Sequence, residues 1–149
     1  MKLEFAGAPM ITAPRAAVWA RLLDPDAVAQ AAPGVESVEP IDDHHFKVIT
    51  GLGIGAMRLK FTLEVELSDI VEPESASMRA RGKAPGSVVD VQTAIRLDET
   101  GPSETQLHWQ ATATISGTVA SLGSRLLESA ARKLTDDFWD TFAHQASTA

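Results

Sequence analysis

The chain has 149 residues, enough for one domain with a core of its own, and no cysteine, which removes disulfides, thiolate metal sites and cysteine nucleophiles. Thirteen basic against 20 acidic residues leave a formal charge of −7, which is not the basic footprint that binds nucleic acid or anionic lipid. The opening Met1-Lys2-Leu3-Glu4-Phe5 reaches an acidic residue at once and no apolar run has bilayer-spanning length. The expectation is a cytoplasmic protein, one domain over residues 1–149, that meets a membrane only peripherally or through a partner.

Lys2 to Ala6 reads as a first strand, interrupted at Gly7-Ala8-Pro9 and resuming at Met10 to Thr12. Pro14 suits the first turn of a short helix whose apolar side is Val18, Trp19, Leu22 and Leu23. Asp24-Pro25 ends it. Asp26 is placed to cap a second short helix, closed by Pro33-Gly34. From Val35 the hydrophobic period changes to two. Phe46, Val48, Thr50 and Leu52 share one face, and Met57, Leu59, Phe61, Leu63, Val65 and Leu67 share the face of a longer strand. Arg79, Arg81 and Lys83 alternate with Met78, Ala80, Gly82 and Ala84; Val89, Val91, Ile95 and Leu97 follow, then Leu107, Trp109, Ala111, Ala113 and Ile115. Thr118 to His144 reads as one long helix, buried through Val119, Leu122, Leu126, Ala130, Leu134, Phe138 and Phe142. These elements predict an α+β fold: a curved antiparallel sheet of about seven strands wrapped around a long C-terminal helix, with two short helices after strand one.

The concave face of such a sheet is either filled or hollow. Its candidates are Phe46, Val48, Leu59, Phe61, Leu63, Met78, Val91, Leu107 and Trp109, opposed by Leu126, Leu134 and Phe138. Ala111, Ala113 and Ala130 share these faces, and small side chains on both sides leave room for an apolar guest. The other reading is a helix sitting closer over a solid core.

The residues offer little else of a chemical kind. Gly51, Gly53 and Gly55 lack the GxGxxG spacing of a dinucleotide loop, and a strand follows them. His44 and His45 sit in an acidic turn, and no closed metal set is defined. No GxSxG occurs, and the acid–base candidates Asp90 and His108 fall on the polar strand faces by parity. No catalytic, cofactor-binding or metal residue is therefore assigned, and no cofactor is implied. Arg79 and Arg81 either pair with charges on neighbouring strands or dock an acidic partner. Trp139, beside Phe138, is placed at the surface as a partner contact.

Several stretches resemble the carbon monoxide dehydrogenase CoxG-like family of the START-like, SRPBCC or Bet v 1-like superfamily. They are Ala13-Pro14-Arg15 with Val18-Trp19, Leu22-Leu23-Asp24-Pro25, Pro33-Gly34-Val35-Glu36, Gly51-Leu52-Gly53-Ile54-Gly55 and Gly82-Lys83-Ala84-Pro85-Gly86. The run from Ile115 to Leu127 and Asp137-Phe138-Trp139 with Phe142 match too. Ala80 stands where the family pattern has a further glycine. The resemblance implies a helix-grip fold with an apolar cavity for a quinone- or lipid-like molecule. It also implies an adaptor role beside a carbon monoxide dehydrogenase-type molybdenum hydroxylase at the inner face of the membrane. Many members carry a C-terminal extension, whereas this sequence ends at Ala149, so direct anchoring is not expected. Two alternatives stay open: a polyketide cyclase-like enzyme, and a surface-only assembly factor with a solid core.

Overall fold

The computed structural model describes residues 1–32, 34–54 and 56–147, and the side chains of all of these except Met57. β1 (Lys2–Gly7) and the two-residue β2 (Met10–Ile11) are followed by α1 (Arg15–Leu22) and α2 (Pro25–Ala31). A meander then runs through β3 (Val35–Asp42), β4 (His45–Ile54), β5 (Met57–Val71), β6 (Ser75–Ala84), β7 (Ser87–Gly101) and β8 (Glu104–Gly117). A 3₁₀ turn (Thr118–Leu122) leads into α3 (Ser124–Ala146). Every pairing is antiparallel, in the order β1-β8-β7-β6-β5-β4-β3, with β2 also on β8. The sheet curves around α3 in the helix-grip arrangement, and α1 and α2 cross from β2 to β3.

The strand parities expected from the sequence hold. In β8 Leu107, Trp109, Ala111, Ala113 and Ile115 are buried while the residues between them are not. The helices needed two corrections. Asp24, not Asp26, caps α2: its side chain accepts from the Asp26 N–H at 3.0 Å, with Pro25 as the first helical residue. The single long helix from Thr118 is broken at Gly123, whose φ of 94° is closed to ordinary L residues. The break resets the helical phase. Leu127 and Trp139 turn inward, at 2% and 3% exposure, and Leu126 turns out to solvent at 38%. The sequence reading, which carried one unbroken phase from Val119, had Leu126 inside and Trp139 outside.

Core packing differs between the two ends of the sheet. At the end bearing the β3–β4, β5–β6 and β7–β8 turns, Ile11, Val18, Leu22, Leu97, Leu107 and Phe142 are all less than 2% exposed. Thr105 is buried with them, its hydroxyl donating to the Ala13 carbonyl at 2.8 Å. At the opposite end a separate cluster of Ile54, Ile115, Val119 and Leu127, joined by Leu59, Val89 and Leu122, ties the β4–β5 turn to the start of α3.

The reset phase gives a direct comparison. Phe142→Ala should lose about 3–5 kcal/mol of stability, and Leu126→Ala no more than about 0.5 kcal/mol. Urea unfolding of the two variants checks it, because an unbroken helix from Thr118 would make both substitutions costly.

Candidate ligand cavity

Between the solid end and the cluster at the start of α3 the molecule is hollow, with a cavity of about 270 Å³. Its floor is aromatic. Trp109 and Trp139 stack with centroids 5.9 Å apart and planes at 18°, and Phe138 meets Trp139 edge-on at 4.8 Å. Trp139 also meets Phe142 edge-on at 5.7 Å, joining the floor to the solid core. Gly7, opposite Trp109 in the β1–β8 register, makes room for the stack, since a Cβ there would lie 2.6 Å from the indole Nε1. The walls are the inward faces of β4 to β8, with Phe5 of β1; α3 and the buried alanines of α2 close them. Arg132 covers the outer face of this corner, its guanidinium 5.1 Å from the Phe5 ring centroid.

Of the residues singled out in the sequence, Phe46, Val48, Phe61, Leu63, Met78, Val91, Ala111, Ala113, Ala130, Leu134 and Phe138 line the space. Four do not. Leu59 packs with the cluster at the start of α3, and Leu107 is sealed in the solid core. Trp109 lies behind Trp139, and Leu126 faces solvent. Trp139, expected at the surface, is part of the cavity wall. Residues the sequence reading did not assign also line it: Thr50, Leu52 and Ile54 on β4, Thr93 on β7, Leu127, Ala131 and Thr135 on α3, and Val28, Ala29 and Ala32 at α2. The strand positions carried a usable signal in their parity. The α3 positions did not, because their phase depends on the break at Gly123.

Among the described residues, none that lines the cavity is ionisable. Three hydroxyls, of Thr50, Thr93 and Thr135, are the chief polar groups of the wall. Thr135 donates back along α3 to the Ala131 carbonyl at 2.9 Å, which leaves its oxygen as an acceptor. A wall of this chemistry holds apolar surface and can meet one or two polar atoms of a guest. It supplies no general acid or base.

The charged candidates sit elsewhere. Asp90 faces outward and is gripped at both oxygens by Arg79, at 2.7 and 3.2 Å, with Arg81 at 3.7 Å. The Arg79 hydrogen bonds hold the Asp90 carboxyl below its ordinary range against the desolvation that burial brings, with lesser help from the charges of Arg79 and Arg81. His108 Nε2 lies 2.9 Å from Asp98, and His45 Nδ1 lies 3.8 Å from Asp42. Among the described residues no three His, Cys, Asp or Glu side chains converge as a metal site. Gly51 and Gly53 lie within β4 opposite Lys60 and Arg58, a strand position and not a phosphate loop; Gly55 is outside the described residues.

Comparison with known proteins gives a family and a fold. The family model for the CoxG protein of carbon monoxide dehydrogenase matches residues 7–147. A crystal structure of a conserved protein from Geobacillus kaustophilus is similar at 26% identity and a TM-score of 0.87, covering 97% of this chain and 95% of that one. The ZhuI aromatase/cyclase from Streptomyces sp. R1128 is similar at 17% identity and a TM-score of 0.72, covering 98% and 94%. A START superfamily protein from Mycobacterium smegmatis is similar at 10% identity and a TM-score of 0.69, covering 96% of each chain. The last two likenesses are of fold alone. No curated protein sequence matches the chain.

The Asp90 contacts predict a pH dependence. A carboxyl whose pKa is lower folded than unfolded stabilises the protein above its unfolded value, about 3.9, and loses that contribution as pH falls through the folded value. Asp90→Asn should therefore be less stable than the parent at pH 7, and the difference should shrink below about pH 4. Paired thermal melts across this range check it, and a pH-independent difference would contradict it.

Proposed function

This chain belongs to the carbon monoxide dehydrogenase CoxG family, and we propose that it acts there as a non-enzymatic carrier of an apolar small molecule. The observation that carries the reading is a cavity of about 270 Å³ lined, among the described residues, by no ionisable side chain. Affinity in such a space comes from removing apolar surface from water, at roughly 25 cal/mol for each Å². A cyclase or hydratase would need an acid or base aimed at its substrate, and the wall offers only hydroxyls.

A quinone-like guest suits this wall. Its ring stacks or packs against Trp139 and Phe138, and its carbonyl oxygen accepts from the Thr93 hydroxyl. The volume lies at the small end of ligand sites and suits a ring-sized head group, with a long isoprenoid or acyl chain extending outward. A fatty or isoprenoid lipid is the related choice. The family's name supports carbon monoxide dehydrogenase as the redox partner, and we propose a molybdenum hydroxylase of that type at the inner face of the membrane. Entry and exit require a shift of α2 or the neighbouring turns.

Native mass spectrometry of freshly purified protein, with organic extraction of what it carries, is the test. A stoichiometric quinone or lipid is expected. Ala113→Phe should come off empty with an unfolding transition no lower than the parent's, because the added ring enters existing space. A parent protein that stays empty after incubation with quinones and fatty acids would overturn the reading, as would a folded variant that binds equally well.

A further inference from the structure

The cavity has a neighbour on the far side of α2. Between α2 and β3 lies an open trough, with the half-buried Val35 and Val38 as its floor. Its lip carries the exposed Asp26 and Gln30, one helical turn apart on α2. Ala29 and Ala32 line both spaces, as part of the wall of the cavity and part of the wall of the trough. At these two positions the partition is one residue thick and ends in methyl groups. Most of the remaining wall is hydrogen-bonded sheet or α3.

Local structure builds this place from the sequence. Val35 and Val38 are three residues apart and would face opposite ways in a regular strand. A register shift between Val35 and Ser37 brings both to the trough, where they also pack against the core. Gly34 fixes one edge. Its carbonyl accepts from the Gly51 N–H at 2.9 Å, and its φ of 68° and closeness to the Gly51 carbonyl leave no room for a Cβ. β3 is thereby bound to β4 on one side of the trough. On the other side α2 has seven residues, well short of the roughly 12 below which an isolated helix is marginal. It meets the cavity through Val28, Ala29 and Ala32, so moving it aside withdraws one valine and two methyl groups. Charge around the trough has one sign. Residues 24–42 contain Asp24, Asp26, Glu36, Glu39 and Asp42 and no lysine or arginine. Glu36 is paired with Lys60 at 3.3 Å, while the exposed Asp26 carboxylate is in no ion pair among the described residues.

We propose that this trough is the doorway of the cavity. The guest enters and leaves between α2 and β3, past Ala29 and Ala32, and the acidic lip selects neutral chain-bearing molecules over carboxylates and phosphates. The selection rests on the carrier reading, whereas the route is a property of the walls. A ring-sized head inside the cavity leaves its chain lying outward over Val35 and Val38, an apolar floor for an apolar chain. A fatty acid or phospholipid must carry its anionic group past this lip or leave it there. It meets Asp26 at like charge, and no lysine or arginine lines the trough among the described residues. A neutral quinone or isoprenoid alcohol meets no such repulsion.

The sequence has no cysteine, so Thr93→Cys puts a single thiol inside the cavity. Labelling of that thiol by N-ethylmaleimide, a small neutral reagent, times passage through the wall when followed by mass. Adding Gln30→Trp, which sets a large ring in the trough from an exposed position, should slow labelling on the order of tenfold while the unfolding transition stays put. Adding Val88→Trp instead, a ring of the same size at an exposed position on β7, should leave the rate unchanged. Decanol should protect the thiol, and decanoate, the same chain ending in a carboxylate, should need a roughly fivefold higher concentration. Asp26→Asn should narrow that difference. Equal labelling with and without Gln30→Trp overturns the route. Protection by decanoate as good as by decanol overturns the selection, as does a difference that Asp26→Asn leaves unchanged. If neither compound protects while Gln30→Trp still slows labelling, the carrier reading fails and the doorway stands.

Discussion

The stacked indoles of Trp109 and Trp139 divide this molecule in two. On one side of the stack the chain packs as proteins ordinarily do, with large side chains sealed from water around Phe142, Leu97 and Leu107. On the other side the sheet continues, but small residues (Ala80, Ala111 and Ala113, faced by Ala130 and Ala131 of α3) stand among the larger side chains of the wall and leave it unfilled. The stack is rigid, wide and anchored at both faces, by Gly7 beneath Trp109 and by Phe138 and Phe142 around Trp139. A floor of that kind lets the solid half hold the fold while the other half stays open. Without it the alanine-lined half would have to collapse onto α3 to recover its lost contacts.

That division explains how one domain serves two demands. Stability comes from α1, the C-terminal turns of α3 and the acidic-turn end of the sheet. Space comes from the end where β4, β5 and the start of α3 meet through the small cluster of Ile54, Ile115, Val119 and Leu127. The cluster closes the cavity at this end with few residues.

Most of the fold was legible in the sequence because strand parity is local. A run such as Leu59, Phe61, Leu63, Val65 and Leu67 declares its inward face without knowledge of its neighbours, and the cavity candidates on the strands follow from it. Helix phase is different. One residue at positive φ, Gly123, breaks the helix, and although Ala130, Leu134, Phe138 and Phe142 still face inward as expected, Leu126 turns out, Trp139 turns in, and Leu127, Ala131 and Thr135 went unread. Whether the interior was hollow could not be read from composition either, because it depends on how far the Trp109–Trp139 stack props the helix from the sheet.

The central claim is that the space above Trp139 receives an apolar, quinone-like guest, and intrinsic tryptophan fluorescence tests it most directly. Quinones quench indole emission at contact distance, and Trp139 lines the cavity while Trp19 is buried on the inward side of α1, away from the cavity wall. Titration with a short-chain ubiquinone analogue should quench part of the emission along a saturating curve and leave the remainder, from Trp19, bright. Quenching that rises linearly without a plateau, to the same degree as for free tryptophan amide, would contradict the account.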